Sequence, residues 1–411
     1  MPKAQLKVRP AAVSGNGVVL AVRREPGQWV VEFMSEPRNS PERLWFNLEC
    51  TGAGGSKVRF VWLNAHLCLG IGSAEAMGNV RPVVRLDKGD WQRVNEVQVH
   101  DRALGGHFLS FTTPTHCRRV QAAFCYPYGT DDLKATLKRT RGFWDVEAIG
   151  PTGKGRELLR LHAAADKRRP GRPGVYIVAR QHSGEVPGSW VLDGILGAVA
   201  AENRSGRLRR IEWWAVPFVD LDGAVEGNYG KDCFPIDFNR AWADMPMRPE
   251  VGAIQQDMRY FADGRTRRLV LDLHGPGGGE TRVYMMHPRR NRPKAQREAA
   301  QSLQECICAQ IPEQPPERLG VIPDYGIRWD LRHNLSSWAW DGLNRTLAVT
   351  IETAYQPMND GEWSDRDDYQ EIGRRIAQAA TAWLLEGQTR RRRRSQRERR
   401  TVSEAGRRSR A

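Results

Sequence analysis

The sequence predicts an α/β protein with a central mixed sheet flanked by helices, preceded by an antiparallel β-sandwich, and two changes of rhythm carry that expectation. Up to about residue 120, short alternating apolar runs such as LWFNLEC, KVRFVWLN and RVNEVQVH are separated by breaks like TGAGGS and DKGD, the pattern of half-buried strands. From about residue 146, the apolar runs GVYIVA, RRIEWWAVPFV, RLVLDLHG and TLAVTIETAY alternate with the helical stretches SWVLDGILGAVAAE and DYQEIGRRIAQAATAWLLEG. Such alternation indicates a buried, largely parallel or mixed sheet. At the junction, FCYPYGTDDLKATLKRT offers a strand over 120–126, a turn, and a helix capped by Thr130 or Asp131. The expected boundaries are 1–140 for the sandwich, 141–388 for the α/β domain and 389–411 for a disordered arginine-rich tail.

Composition narrows the function classes. The chain has 411 residues, 40% of them apolar and 14 of them Trp, which is enough for two or three domains with sizeable cores. A formal charge of +15 invites a polyanionic partner. Between Arg390 and Ala411, however, eleven arginines face only Glu398 and Glu404, so most of the excess is a tail. Weak contact of that tail with nucleic acid or another polyanion is expected, and a binding protein acting through it is one alternative for the whole chain. The seven cysteines are scattered without CxxC spacing, as reduced thiols are, rather than as a disulfide scaffold or a cysteine zinc site. Near the N-terminus only VVLAV is apolar between charges, too short for a signal core or a membrane span. A cytoplasmic protein without membrane contact is the expectation.

The chemistry concentrates at the ends of the later strands. ARQHSGEVPGSW, residues 179–190, follows GVYIVA so closely that a strand ends almost on His182 and Glu185. Gly184 and the pair Pro187-Gly188 supply turn chemistry that lets the two side chains converge. An imidazole and a carboxylate are half of a zinc site, which in catalytic form has three protein ligands and one open position. RLVLDLHG ends at His274, which completes a His-Glu-His set. Asp272 is a candidate acceptor for that histidine, although a strand continuing to His274 is expected to turn it to the other face. TLAVTIETAY buries Glu352 in an apolar run, where a carboxylate is costly unless it has a partner or a task. DFNRAW sets Asn239 and Arg240 side by side. Taken singly, each has an ordinary structural explanation, whether surface HxxE, core histidine, salt bridge or loop cap. Their joint occurrence at strand ends of one domain points to a site.

ARQHSGEVPGSW, VPFVDLDGAVEGNYGKDCFPIDFNRAW, LDLHG and TIETAY, in that order, resemble the zinc metallocarboxypeptidases, and more closely their cytosolic carboxypeptidase branch, over roughly residues 40–385. In that branch an N-terminal β-sandwich, to which FCYPYGTDDL is also similar, precedes the peptidase domain. The resemblance implies one zinc ion per chain held by His182, Glu185 and His274, a substrate C-terminal carboxylate gripped by Asn239 and Arg240, and Glu352 as general base. The implied reaction removes C-terminal residues, acidic or side-chain-linked ones among them, from peptides or proteins. Many relatives read GNxR where this chain reads GNYG at Gly227–Gly230 followed by Lys231. Lys231 is therefore expected to supply the charge that polarises the substrate carbonyl, as a point charge rather than a fork. Tyr325 is the candidate for the tyrosine that closes over substrate, and Arg328 or Arg332 for the wall of an acidic-specific pocket. A zinc-dependent deacylase of N-acyl amino acids is the second alternative.

Overall fold

The computed structural model describes residues 5–103, 105–163, 172–265, 267–286, 288, 291–311, 333–358 and 365–385; the arginine-rich tail lies outside them. Nine strands form the N-terminal region: β1 (Lys7–Pro10), β2 (Val18–Glu25), β3 (Gln28–Met34), β4 (Asn47–Trp62), β5 (Val83–Leu86), β6 (Trp91–Arg93), β7 (Gln98–Asp101), β8 (His107–Thr112) and β9 (Cys117–Ala123). A short helix, α1 (Ala74–Gly78), lies between β4 and β5. The first half of β4 pairs with β1 and β9 and its second half with β3 and β8. One 16-residue strand thus serves both halves of the sheet. TGAGGS, expected as a break between two strands, is instead a register shift against β9 between Thr51 and Ser56; a bulge of this kind bends a strand without ending it. Every pairing here is antiparallel except β3 with β4. Phe33, Phe46, Phe60, Trp62, Phe111 and Phe124, drawn from both halves, interlock with ring centroids 5.0 to 6.4 Å apart.

The junction helix α2 (Thr130–Arg139) is capped one residue earlier than expected. Gly129 is its N-cap, and the Asp132 carboxylate accepts the Gly129 N–H at 2.8 Å. The preceding strand stops at Ala123 rather than continuing to Tyr126.

The second sheet contains β10 (Trp144–Pro151), β11 (Glu157–Ala163), β12 (Gly174–Ala179), β13 (Glu212–Val216), β14 (Arg268–His274), β15 (Val283–Met286) and β16 (Leu347–Thr353), in the order β10-β11-β13-β12-β14-β16-β15. The four inner strands β13, β12, β14 and β16 are mutually parallel, and the outer pairings are antiparallel. The inner strands are buried along nearly their whole length, which is why they read as continuous apolar runs rather than alternating ones. Helices α3 (Val186–Ala201), α4 (Leu221–Glu226), α5 (Pro249–Ala262), α6 (Lys294–Gln310), α7 (Leu335–Gly342) and α8, over 366–385, accompany them. Pro187 and Gly188 fall in the first turn of α3 rather than in the turn before it. A Cβ on Gly188 would sit 2.8 Å from the Leu273 carbonyl oxygen, so a glycine is what lets α3 lie against β14. From β12 the chain moves first to β13 on one side and then to β14 on the other. That reversal opens a crevice at the carboxyl ends of β12 and β14, where ligands collect in such sheets. Among the described residues, no helix is long and apolar enough to cross a membrane.

Candidate active site

The crevice holds the three expected ligands. His182 and Glu185 follow β12 and His274 is the last residue of β14. One donor atom from each lies within 4.8 Å of the others, and all three residues are buried. The Nδ1 atoms of His182 and His274 each stand 2.7 Å from an oxygen of Glu185, on Oε1 and Oε2 respectively. The two imidazole rings are 4.8 Å apart, centroid to centroid.

Behind each ring stands a carboxylate. His182 Nε2 is 3.1 Å from Asp237 Oδ2 and His274 Nε2 is 2.9 Å from Asp272 Oδ1. A histidine whose far nitrogen donates to a carboxylate has its other nitrogen fixed as the ligand, and that ligand is more basic. Asp272 does share a face with His274, contrary to the expectation above. Side chains two apart on a strand point the same way, and the strand continues through both. Gln181 Nε2 donates to both Asp272 oxygens at 2.8 Å while its Oε1 accepts from Trp242 Nε1 at 2.7 Å. Asp237, which sequence reasoning passed over, is anchored by the N–H groups of Asp232 at 2.7 Å and Asn239 at 2.6 Å. Burial opposes its charge, yet the imidazole of His182, Arg240 and a backbone N–H hold its carboxyl well below the usual range. Its place two residues before Asn239 is no signal by itself, since it meets His182 across 55 residues of chain.

Arg180 was also missed. It adopts a left-handed backbone (φ +61°) and is fully buried, a combination uncommon enough to mark a constrained turn. Its guanidinium donates to the Ser183 carbonyl at 2.7 Å, the Tyr128 carbonyl at 3.0 Å and the Ser189 hydroxyl at 3.2 Å. It therefore braces the loop that carries His182 and Glu185.

The charge balance of the cluster suits a divalent cation. Burial penalises Glu185, but the two facing imidazoles hold its carboxyl well below its ordinary range. Burial likewise opposes protonation of the histidines, and the carboxylates Asp237, Asp272 and Glu185 outweigh it, so both are raised. Protons on two convergent Nδ1 atoms occupy the place where one cation satisfies all three donors, and two neutral nitrogens with one carboxylate form a donor set typical of catalytic zinc.

Glu352 lies beside this cluster. It is in register with His274 across the parallel β14–β16 pair, and its Oε2 is buried without a hydrogen-bond partner among the described residues. Burial pushes its carboxyl up to about 7, against the opposing pull of His274 and Lys231. Lys231 is buried, with Nζ 3.7 Å from Glu185 Oε1. Asn239 and Arg240 sit on a single 3₁₀ turn, Phe238–Arg240. The Asn239 Oδ1 accepts the Leu335 N–H at 3.2 Å, which leaves Nδ2, 3.5 Å from His274 Nε2, as the donor on the site side. Arg240, half-buried, donates from Nη1 to the Asn239 carbonyl at 2.9 Å. Of the sequence candidates, His182, Glu185, His274, Glu352, Lys231 and Asn239 are thus gathered in one place, with Arg240 adjoining. Tyr325, Arg328 and Arg332 lie outside the described residues.

Comparisons with known proteins concern the family and the fold. The family profile described as zinc carboxypeptidase matches residues 130–268, and that of the cytosolic carboxypeptidase N-terminal domain matches residues 8–125. The first match includes His182, Glu185, Asn239 and Arg240 but ends before His274 and Glu352, which the fold itself brings in. Cytosolic carboxypeptidase 6 of Caenorhabditis elegans is 25% identical over 57% of this chain and 55% of its own length. An uncharacterized protein of Zymomonas mobilis is 28% identical over 66% of this chain and 67% of its own. Mouse cytosolic carboxypeptidase 6 is 29% identical over 38% of this chain, which spans only 31% of that protein. Among solved structures, a metallo-carboxypeptidase from Burkholderia cenocepacia superposes with a TM-score of 0.75 at 20% identity, over 92% of this chain and 99% of its own. A metallo-carboxypeptidase from Pseudomonas aeruginosa, in complex with (2-guanidinoethylmercapto)succinic acid, gives 0.73 at 20% identity over 93% and 99%. At these identities the likeness is one of fold.

Proposed function

Because the chain belongs to the zinc carboxypeptidase family, in its cytosolic carboxypeptidase branch, we propose that it is a cytoplasmic peptidase that removes residues from the C-termini of peptides or proteins. The observation that carries this reading is the convergence of His182, Glu185 and His274 beside the buried carboxylate of Glu352, whose Oε2 has no hydrogen-bond partner among the described residues. The three would hold one zinc ion per chain, which when bound supplies a Lewis acid for the scissile carbonyl and a water acidified to a pKa of ~7.

The chain's own groups supply the rest. Glu352, raised by burial toward neutrality, accepts the proton of the attacking water and returns it to the leaving amine. A base is most effective when its pKa lies near the working pH. Lys231 places a positive charge beside the ligands, where negative charge builds up on the substrate oxygen. Arg240 receives the terminal carboxylate in a bidentate fork, with Asn239 Nδ2 beside it. A peptidase that must find a chain end needs such a partner, and lysine would not match its geometry.

A panel of synthetic peptides, followed by mass spectrometry with and without added zinc, tests the proposal. The panel includes free and amidated C-termini, γ-linked glutamates and N-acyl amino acids. Loss of single residues from free C-termini is the expected result. Cleavage confined to N-acyl amino acids would indicate a deacylase instead, and γ-linked substrates would identify the side-chain-linked class.

A further inference from the structure

Two segments run from the site directly into the N-terminal domain: Gly275–Gly279, after His274, and Ala354–Gln356, after Glu352. We propose that Gln356, aided by Arg93, is a positioning residue through which the N-terminal domain sets the base Glu352 against the loop that follows His274. The inference rests on the assignment of Glu352 as the base.

Gln356 is fully buried, and its amide joins three segments. Oε1 accepts the Arg81 N–H at 2.6 Å, while Nε2 donates to the Gly278 carbonyl at 2.9 Å. A backbone N–H can only donate and a carbonyl can only accept, so one orientation of the amide alone satisfies both. The backbone between Glu352 and Gln356 is held from the same side. Arg93 on β6 donates from Nη2 to the Tyr355 carbonyl at 2.8 Å and to the Tyr369 hydroxyl at 2.9 Å, and from Nη1 to the Arg81 carbonyl at 2.9 Å. Tyr369 in turn donates to the Ala354 carbonyl at 2.9 Å. The Phe124 ring, just past β9, packs 5.2 Å from the ring of Tyr355.

The loop after His274 is gripped from the N-terminal domain as well. The Leu69 carbonyl accepts the Gly278 N–H at 2.8 Å, and Asn79 Nδ2 donates to the Gly279 carbonyl at 3.3 Å. The two segments touch through glycines: a Cβ on Gly70, whose φ is +75°, would lie 2.6 Å from Gly277 Cα. The β16 ladder ends at Thr353, one residue past Glu352. Where the Glu352 carboxylate reaches therefore depends on what holds the residues just beyond, and those contacts come largely from the other domain. Misplacement of a reacting group by ~1 Å costs on the order of 10²-fold in rate.

Gln356→Met keeps the length of the side chain and removes both hydrogen bonds. The expected result in the zinc-loaded full chain is a kcat lower by about tenfold, with KM within about twofold and zinc content unchanged. In the metal-free protein, amide hydrogen exchange should speed up in the peptide spanning 350–358. The deciding measurement repeats the substitution in a Glu352→Gln background, where it should change the residual kcat by less than about twofold because the group it positions is gone. An equal factor in both backgrounds, or a raised KM with kcat intact, would overturn the proposal and make Gln356 general structural support. Should Gln356→Met not accumulate as folded protein, Arg93→Lys, which keeps the charge but loses the fork, is read by the same two-background comparison. A Glu352→Gln protein with wild-type turnover would instead overturn the assignment of the base, and with it the route proposed here.

Discussion

At the carboxyl ends of β12 and β14, His182, Glu185 and His274 turn their donor atoms toward one point, while near the edge of the same sheet Arg160 on β11 spreads its donors over separate partners. Arg160 Nη2 is 2.8 Å from Glu147 Oε2, its Nε is 3.4 Å from Asp257 Oδ2, and its guanidinium lies 3.9 Å above the Trp214 ring. Asp257 also accepts from the Tyr176 hydroxyl at 2.7 Å. Both clusters contain histidine and carboxylates, since His162 Nδ1 is within 2.8 Å of Arg160 Nη1. In the second, each charge already has a complementary group of the protein against it. In the first, donor atoms of three residues converge, with Glu185 facing both rings from the front and Asp237 and Asp272 standing behind them. Composition does not separate the proposed metal site from an ion-pair network, but the convergence of its donors does.

The largest expected effect follows from that convergence. His182→Ala removes one of the three proposed ligands and should bring zinc content, measured on purified protein, down to background together with activity. His162→Ala, in the outlying cluster, should leave zinc at the wild-type level. Zinc retained by the first variant, or lost from the second, would erase the distinction between the two clusters.

Next in size is the base. Glu352→Gln is nearly isosteric and cannot take a proton, so turnover should fall on the order of 10²–10⁴-fold with zinc and fold kept. The sign of the pH dependence is fixed by the same group. As the proposed base, Glu352 would work in its charged form, so activity should be lost as pH falls through its pKa, and a cation at the neighbouring ligands should move that limb below the value of about 7 that burial gives it. An acid limb that persists unchanged in Glu352→Gln would belong to another group.

The substrate grip comes third. If Arg240 and Asn239 receive the terminal carboxylate, amidation of the substrate removes the charge that the guanidinium would bind. Such losses typically cost ~2–5 kcal/mol, so free-acid peptides should be preferred by at least about thirtyfold. Arg240→Ala should erase most of this preference, and Arg240→Lys should restore little of it. Equal cleavage of amidated and free peptides would remove chain-end recognition from the proposal.

How much of this was legible in the sequence differs between residues for physical reasons. His274 and Glu352 could be picked out because each is a polar residue in an apolar run long enough to be a buried parallel strand, and His182 and Glu185 because they closely follow such a run; strand ends in such sheets coincide in space. Asp237 could not, because it meets His182 across 55 residues of chain, through a turn whose course no periodicity announces. Arg180 and Gln181 look like the polar end of a strand, and their tasks, bracing the Ser183 carbonyl and holding Asp272, exist only in the folded loop. Gln356 sits in an ordinary loop sequence and gains meaning from Arg81, 275 residues away. The unbroken β4 was hidden by TGAGGS, which has the composition of a loop but is accommodated as a bulge because strands on both sides of it pair with neighbours. Asp272 was within reach of the period of two alone.

The smallest effect on activity is expected at the second cluster, and it tests the comparison from the other side. Arg160 is almost wholly buried and Asp257 nearly so, and burial already raises the Asp257 carboxyl despite the guanidinium. Arg160→Met strands that carboxylate and removes the cation from the Trp214 face, which should cost about 3 kcal/mol of unfolding free energy, at the low end for breaking a buried pair. Turnover per zinc-loaded folded molecule should not change, since β11 lies two strands away from β12 in the sheet. Adding Asp257→Asn removes the stranded charge while keeping an oxygen for the Tyr176 hydroxyl, so the double variant should recover most of the loss. If denaturant unfolding shows the two costs adding instead, Arg160 and Asp257 are not a coupled pair. If turnover falls along with stability, the outer cluster reaches the site, and the two clusters have to be treated as one network.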